Sequence, residues 1–432
     1  MFWGDDYLNS VASQIRVERA RIPLMEELRE HLECQREAYL AEGMEEAEAR
    51  NRAIADMGDA LLVGGELDRV HRPRIHWKGV LIALFLIVLG LSMQRMLLPV
   101  DMKWRIIGRQ MIFPSIAAGL ILLLAATDYT LWLRLTIPVF LVWWGLYVTR
   151  IGHAPRVIYF GLERYIFAFS PECLALAMPV LLAFAVCRLR SRGRGSLIGC
   201  AAMPAMIALL SLRYQFSGRG YDAMMLMSSA GFGLLYYAAR HGFFRLKSEA
   251  AQWLSLLMTA LTFAGFAWGF ARQMRLNQPW MDEVVRPLLR GAKLLGTGAI
   301  AQGVGTLNYT FSSEDFLPLV IYRFGWLPFA LLTGALAGLL AWSFARFIRM
   351  ENRMGALLGM AATATLALQC ILFYLASFTN YTQDLCLPLL SYGSIVLAID
   401  AILVGVILST LRSESLPEPK PSEHRIRCFQ QK

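Results

Sequence analysis

Charged residues are scarce in this chain of 432 residues, at 17%, and acidic residues are fewer than basic ones. Residues 1–70 hold 16 of the 32 acids and 8 of the 42 bases, a net charge of −8, so the rest of the chain holds 34 bases and 16 acids, a net charge of +18. Because 56% of residues are hydrophobic, the composition excludes a disordered chain and disfavours a soluble enzyme. The bases are scattered between apolar runs, so we expect no nucleic-acid partner.

Metal-ligand spacing is also missing from the sequence, and we expect no signal peptide. None of the seven cysteines has the spacing of a metal site, and we interpret them as reduced packing residues. His31 and His71 have no ligand partners at useful spacing, so no metal site is predicted. Residues 1–70 are polar and helical in pattern, unlike a signal peptide.

Long apolar runs dominate the sequence from Lys78 to Leu411. Runs of about 16–25 apolar residues are typical of helices that cross a membrane. We therefore predict an all-α polytopic membrane protein with about ten transmembrane helices, preceded by a small soluble helical bundle. The predicted spans are 79–98, 112–126, 130–149, 172–188, 197–212, 222–241, 251–270, 317–345, 356–377 and 387–411.

The pattern divides the chain into three parts: a cytoplasmic helical domain at 1–72, a ten-span membrane domain at 73–412, and a disordered cytoplasmic tail at 413–432 rich in Pro and Ser. In the first part, Leu24, Leu28 and Leu32 share one helix face. Its segment "MEELREHLECQREAYLAEGMEEAEARNRAIADMGDALLVGGELDRVHRPR" resembles the permease prefix domain of some bacterial membrane proteins. That resemblance implies a cytoplasmic accessory module.

The distribution of cationic residues predicts the orientation in the membrane. An even number of spans places both ends on one side, and the connections on that side carry 15 cationic residues against eight in the short connections opposite. This bias predicts cytoplasmic ends. The large loop at 271–316 is then extracytoplasmic, and its basic character suggests an anionic ligand on that side. Its cationic residues are Arg272, Arg275, Arg286, Arg290 and Lys293.

The loop ends in Ser312, Ser313, Glu314 and Asp315, where the apolar chain resumes. Carboxylates at the edge of a span must stay hydrated or paired. Two interpretations are open here. The residues form either a helix cap at the end of a hydrated loop or a functional site where cations receive an anionic headgroup.

Four segments, in chain order, carry a recognisable pattern: "KWRIIGRQMIFPSIAAGLILLLAATDYTLW", "IGHAPRVIYFGLERYIFAFSPECLALA", "GAKLLGTGAIAQGVGTLNYTFSSEDFLPLVIYRFGWLPF" and "LCLPLLSYGSIVLAIDAILVGVILSTLR". The second contains Pro171-Glu172, the third Asp315 and the fourth Ser391-Tyr392. With ten spans in this order, the chain over roughly residues 100–412 resembles the SEDS family (shape, elongation, division and sporulation), whose members include FtsW, RodA and SpoVE.

The resemblance implies a glycosyltransferase of the bacterial cytoplasmic membrane. Such an enzyme polymerises lipid II into peptidoglycan glycan strands during division, elongation or sporulation, usually beside a class B penicillin-binding protein, a transpeptidase. The resemblance also implies that Asp315 occupies the position of the catalytic aspartate. By the same resemblance, Glu172, Arg156, Ser391 and Tyr392 are candidates for the substrate site. The alternative for Glu172 is a capping role at a helix that begins with Pro171.

The chain departs from the family pattern at several of these positions. Arg156-Val157 stands where the family has Arg-Trp. The spacing from Asp315 to Gly325 is one residue shorter than in the family, so Glu314 is the alternative for the aspartate position.

Sugar transfer from a lipid-linked donor needs a base for the acceptor hydroxyl and neutralisation of the diphosphate leaving group. A hydrated carboxylate can be the base. Arg286, Arg290 and Lys293 are candidates to bind the phosphates, although they would equally suit a solvated loop face. No cofactor is indicated, and a divalent cation is the alternative to these side chains.

Two rival functions fit the same pattern. One is a transporter or flippase for a lipid-linked sugar, which would use the same cavity without chemistry. The other is a non-catalytic scaffold for cell-wall synthesis. A polymerisation assay with purified protein and lipid II separates both rivals from the enzyme.

The predicted orientation is tested by an Asn277→Cys variant in the large loop. An impermeant thiol reagent applied to intact cells should label this variant above the level of the unsubstituted protein, because the loop faces outward. Protection of position 277, together with labelling of a cysteine placed in the tail, would reverse the topology.

Overall fold

The computed structural model describes residues 2–97, 112–148, 158–160, 167–169, 171–190, 193–214, 222–244, 249–275, 281–299, 316–379, 385–390, 394–414 and 416. The chain forms two compact units. One comprises Met1–Ile75, Glu351–Arg353 and Arg412–Lys432, and the other comprises His76–Met350 and Met354–Leu411.

The first unit is a bundle of four helices: α1 (Asp5–Gln14), α2 (Glu18–Ala41), α3 (Glu46–Asp56) and α4 (Ala60–His71). Its core contains Val11, Ile15 and Leu32, all fully buried. The carboxylate of Asp59 caps α4, accepting from the backbone N–H of Leu61 at 2.7 Å. An N-cap of this kind typically stabilises a helix by about 1 kcal/mol.

The carboxyl-terminal segment contributes to the same core. Leu416 is buried and belongs to the apolar cluster of the four-helix bundle. The chain is therefore ordered at this residue, although residues 413–432 were predicted to be disordered. Residue 415 and residues 417–432 lie outside the described residues, and for them the prediction stays a prediction.

The second unit is built from apolar helices. Those described are α5 (Trp77–Leu97), α6 (Ile112–Ala126), α7 (Tyr129–Val148), α8 (Pro171–Arg188), α9 (Arg194–Tyr214), α10 (Asp222–Arg240), α11 (Glu249–Gln273), α12 (Arg286–Gly291), α13 (Phe316–Phe324), α14 (Trp326–Ile348), α15 (Arg353–Phe378) and α16 (Ser394–Arg412). A π-helical turn, Met281–Val285, precedes α12.

The predicted class, an all-α polytopic membrane protein, is confirmed. Within the described ranges, six helices are long and apolar enough to cross a membrane, and α6 and α8 are shorter apolar helices. The one strand pair in the described part is a short antiparallel hairpin, with β1 (Ile158–Phe160) beside β2 (Phe167–Phe169). Aromatic residues favour extended pairing, which accounts for this local departure from helix.

Two predicted spans differ from the observed helices. The span predicted at 317–345 is two helices, α13 and α14, separated at Gly325, whose φ of 102° no helical residue adopts. The span predicted at 387–411 begins only at Ser394, because residues 385–390 form a non-helical segment. Pro388 lies in that segment, where its missing N–H and fixed φ disfavour a helix interior.

Polar side chains in the second unit bind backbone carbonyls of neighbouring helices. The indole N–H of Trp143 on α7 donates to the carbonyl of Leu174 on α8 at 2.9 Å. The hydroxyl of Ser409 on α16 donates to the carbonyl of Thr127, next to α6, at 2.7 Å. Bonds of this kind hold helices together where the surroundings offer little hydrophobic driving force.

The break between α13 and α14 requires glycine for two reasons, so Gly325→Ala should destabilise the membrane unit. A Cβ at this position would lie 2.5 Å from the carbonyl oxygen of Leu294, and the positive φ strains any L side chain. We expect a loss of about 1–3 kcal/mol, seen as a lower melting temperature in detergent.

Gly334→Ala is the matched control for that substitution. Gly334 lies inside α14, and a Cβ at this position would have no described atom outside its own helix turn within 4 Å. Alanine there should be neutral, or stabilise the helix by up to about 1 kcal/mol. Equal melting temperatures for the two variants would contradict the role assigned to Gly325.

Candidate functional site

A segment in the middle of the large loop binds the junction between α13 and α14. We call residues 292–299 the clasp segment. The backbone N–H of Gly296 donates to the carbonyl of Phe324 at 2.9 Å, and the carbonyl of Lys293 accepts from the N–H of Trp326 at 3.0 Å. These bonds satisfy backbone groups at the end of one helix and the start of the next, so the clasp segment is fixed against the span that follows it.

The three cations predicted to bind substrate lie close together in sequence, on α12 and at the start of the clasp segment. Arg286 forms an ion pair with Asp282, one helical turn earlier. Arg290 and Lys293 are exposed. Because a carboxylate already faces Arg286, the more available cations for an anionic ligand are Arg290 and Lys293.

Apolar side chains lie beside these cations. Leu294 and Leu295 follow Lys293 and are 68% and 59% exposed. Exposed leucines next to basic residues are typical of a surface at the boundary between lipid and water. The clasp segment therefore presents both a charged and an apolar surface, the combination that a lipid carrying a phosphate headgroup requires.

Most of the other predicted site residues lie outside the described residues, and their roles stay predictions. These are Asp315, Glu314, Arg156, Ser391 and Tyr392. The described chain resumes at Phe316, the first residue of α13, directly after Asp315. Glu172 is the second residue of α8, which begins at Pro171 as the sequence predicted; its side chain is not described.

A non-helical stretch of backbone lies buried directly before Ser391. We call residues 385–390 the buried segment; all six residues are buried. Leu389 has a φ of 60°, the only positive value among described residues other than glycine. Non-helical backbone at membrane depth must find hydrogen-bond partners inside the protein, since lipid offers none.

Three side chains from three different helices supply partners for this backbone. The amide of Gln94 on α5 donates to the carbonyl of Leu390 at 2.9 Å, and the amide of Gln369 on α15 donates to the carbonyl of Cys386 at 2.9 Å. The carboxylate of Asp400 on α16 accepts from the N–H of Leu389 at 3.3 Å.

Close packing accompanies these bonds. Gly90 lies one turn before Gln94 on α5, and a Cβ there would be 2.4 Å from the carbonyl oxygen of Leu390. Only glycine allows α5 to approach the buried segment so closely. The buried segment is therefore closely packed against α5; in the chain it directly precedes Ser391 and Tyr392, two of the predicted substrate residues.

Sequence reasoning found only part of this arrangement. Asp400 is recognisable from the sequence because an acid inside an apolar span needs a partner or a cavity, and in the structure its partner is the N–H of Leu389. Gln94 and Gln369 were missed. The only sequence signal for each of them was a single amide side chain within a mostly apolar run. Among the described residues, no group of three or more His, Cys, Asp or Glu side chains is placed to hold a metal ion.

The apolar helices and their buried polar contacts define a multi-pass helical membrane protein. No protein-family model matches the chain, and no curated protein matches it by sequence. The fold is nonetheless a known one, that of RodA-like SEDS proteins.

Solved structures show this likeness. The Rod shape determining protein RodA of Thermus thermophilus matches with a TM-score of 0.53 and 16% identity, over 78% of this chain and 97% of that chain. A point variant of the same protein gives the same values. A chain of a peptidoglycan synthase complex, described for its coordination of polymerization and crosslinking, matches with a TM-score of 0.56 and 17% identity, over 79% of this chain and 98% of that chain.

The role of Asp400 is tested by two substitutions at one position. Asp400→Leu leaves the buried N–H of Leu389 without an acceptor and should cost about 1–3 kcal/mol. Asp400→Asn keeps an acceptor oxygen and should melt close to the unsubstituted protein. Amide hydrogen exchange of a peptide covering residues 385–390 should speed up in the leucine variant only. Unchanged melting and exchange in Asp400→Leu would show that the bond does not hold the segment.

Proposed function

We propose that this protein is a peptidoglycan glycosyltransferase of the SEDS type, which polymerises lipid II at the outer face of the bacterial cytoplasmic membrane. The observation that carries the proposal is the shared fold. It covers nearly the whole length of RodA and of the peptidoglycan synthase chain, including helices on both sides of the large loop.

The surface formed by α12 and the clasp segment supports the proposal of a lipid-linked substrate. Arg290 and Lys293 can face a diphosphate, while Leu294 and Leu295 contact the lipid to which it is attached. Arg286 is the third predicted contact. It would bind the substrate diphosphate in place of the carboxylate of Asp282, with which it is paired in this structure. The clasp segment is bonded to the end of α13 and the start of α14, so these groups are fixed to the helix that Asp315 precedes in the chain.

In the proposed reaction, Asp315 acts as general base. The acceptor sugar hydroxyl loses its proton to the carboxylate as its oxygen bonds to the anomeric carbon of the donor. The bond from that carbon to the lipid diphosphate breaks, and the diphosphate leaves with the electron pair. The cations stabilise this developing charge, which is the usual means of accelerating such a step.

The remaining contacts follow from the same proposal. Glu172, Arg156, Ser391 and Tyr392 would line the substrate site, and Ser391 and Tyr392 directly follow the buried segment in the chain. A class B penicillin-binding protein is the proposed partner, since the similar chain is part of a synthase complex that couples polymerization to crosslinking. Both termini would lie in the cytoplasm, and the four-helix bundle with them.

Asp315→Asn tests the base directly. Asparagine keeps the shape of aspartate and caps a helix about as well, but it cannot accept the proton. Lipid II polymerisation by the purified variant should fall by a factor of roughly 100 or more, while expression and melting temperature hold. A residue that only caps the helix would leave the rate unchanged.

Glu314→Gln is the control for the alternative position. A large loss in this variant, with Asp315→Asn active, would move the base by one residue. Full activity in both variants would remove the catalytic assignment. Purified protein that binds lipid II without polymerising it would favour the flippase, and protein without either property would favour the scaffold.

A further inference from the structure

A cavity of about 420 Å³ lies in the membrane unit, away from the clasp segment. Four helices surround it: α5, α14, α15 and α16. Its volume falls within the range of about 300–1,000 Å³ that is typical of sites for small ligands. Within the described part of the chain, no residue proposed for sugar transfer lines it.

Regular stripes of side chains form its walls. On α16 the lining residues are Val404, Ile407, Leu408 and Leu411, a spacing of three, four and seven residues that places them on one face. The same spacing recurs on α5, from Gly79 through Ile82 and Ala83 to Leu86, and on α14, from Leu336 through Leu339 and Leu340 to Ser343. From Gly79 to Leu86 the cavity therefore runs for about 10 Å parallel to the axis of α5.

The cavity opens to the lipid-facing surface of the bundle. Ile82, which lines it, is 40% exposed, and Trp342, which lines it from α14, is 56% exposed. A long apolar channel open to lipid is filled most favourably by a hydrocarbon chain, since an empty space leaves its lining atoms without contacts.

One end of the cavity carries positive charge. Lys78, at the start of α5, lines this end and is exposed. His76 also lines it, and its Nε2 donates to the carbonyl of Leu411 at the end of α16, at 3.1 Å. That bond joins the two helices at the cavity's charged end and leaves Lys78 as the cation available to a headgroup.

We propose that this cavity binds one anionic phospholipid, with an acyl chain between the four helices and its phosphate at Lys78. The charge selects an acidic headgroup, and the apolar stripes accept the chain without sequence-specific contacts. Pro388 and Leu389 also line the cavity. The acyl chain of the lipid would therefore contact the same buried segment that Asp400 holds. The bound lipid would thus contact the segment that directly precedes Ser391 in the chain. The lipid proposal does not depend on the proposed sugar transfer.

Native mass spectrometry of the full-length protein, exchanged into mixtures of phosphatidylglycerol and phosphatidylcholine, tests this site. The unsubstituted protein should retain one phosphatidylglycerol in preference to phosphatidylcholine. Ala83→Phe fills the cavity from α5 and should lower retention at least tenfold, and Val404→Phe should do the same from α16. Leu81→Phe adds a ring on the exposed face of α5, outside the cavity, and should retain lipid as before.

The headgroup contact has its own pair of variants. Lys78→Gln should keep a bound lipid but lose the preference for phosphatidylglycerol. Arg95→Gln, at the far end of α5, should keep both the lipid and the preference. Melting temperatures establish that each variant is folded. Equal retention of both lipids by the unsubstituted protein, or undiminished retention in a folded cavity-filling variant, would overturn the proposal.

Photo-crosslinking of the unsubstituted protein gives an answer that does not depend on any variant folding. A phosphatidylglycerol with a diazirine on its acyl chain should label peptides that contain the lining residues of α5 and α14. Labelling confined to other helices would place the lipid elsewhere and refute the site.

Discussion

A backbone that leaves the helical state inside a membrane needs hydrogen-bond partners, and the membrane unit is arranged around that need at residues 385–390. Gln94, Gln369 and Asp400 come from three helices that are far apart in sequence, and each binds one backbone group of this segment. Without them, each exposed group would cost several kcal/mol in hydrocarbon. The first, ninth and tenth predicted spans are thereby fixed relative to one another.

The clasp segment meets the same requirement at the surface. It bonds to the backbone around the break between α13 and α14, where the helical pattern stops at Gly325. Both breaks, at Gly325 and at residues 385–390, lie next to predicted site residues. Irregular backbone in membrane proteins is tolerated where it is buried in protein, and it commonly accompanies a binding site.

Apolar runs predicted the helices well, because the hydrophobicity of a span is a local property of the chain. The two errors came from the backbone: a glycine with positive φ divided one span, and a proline-containing segment delayed another. Asp400 could be recognised because a carboxylate in an apolar run is costly, but its partner could not, since neutral amides and backbone groups give little signal. The pairing of Arg286 was readable, because Asp282 lies four residues earlier. The position of Asp315 relative to the clasp segment stays a prediction.

The bond from Gln94 to Leu390 also has a consequence for synthesis of the chain. The two residues are 296 positions apart, and translation adds about 5–20 residues each second, so the carbonyl that Gln94 binds is made roughly 15–60 s after Gln94 itself. During that time α5 is already long and apolar enough to enter the membrane, carrying an amide whose final acceptor does not yet exist. The first helix inserted is therefore among the last to reach its native contacts, and the membrane unit closes only when its final span arrives.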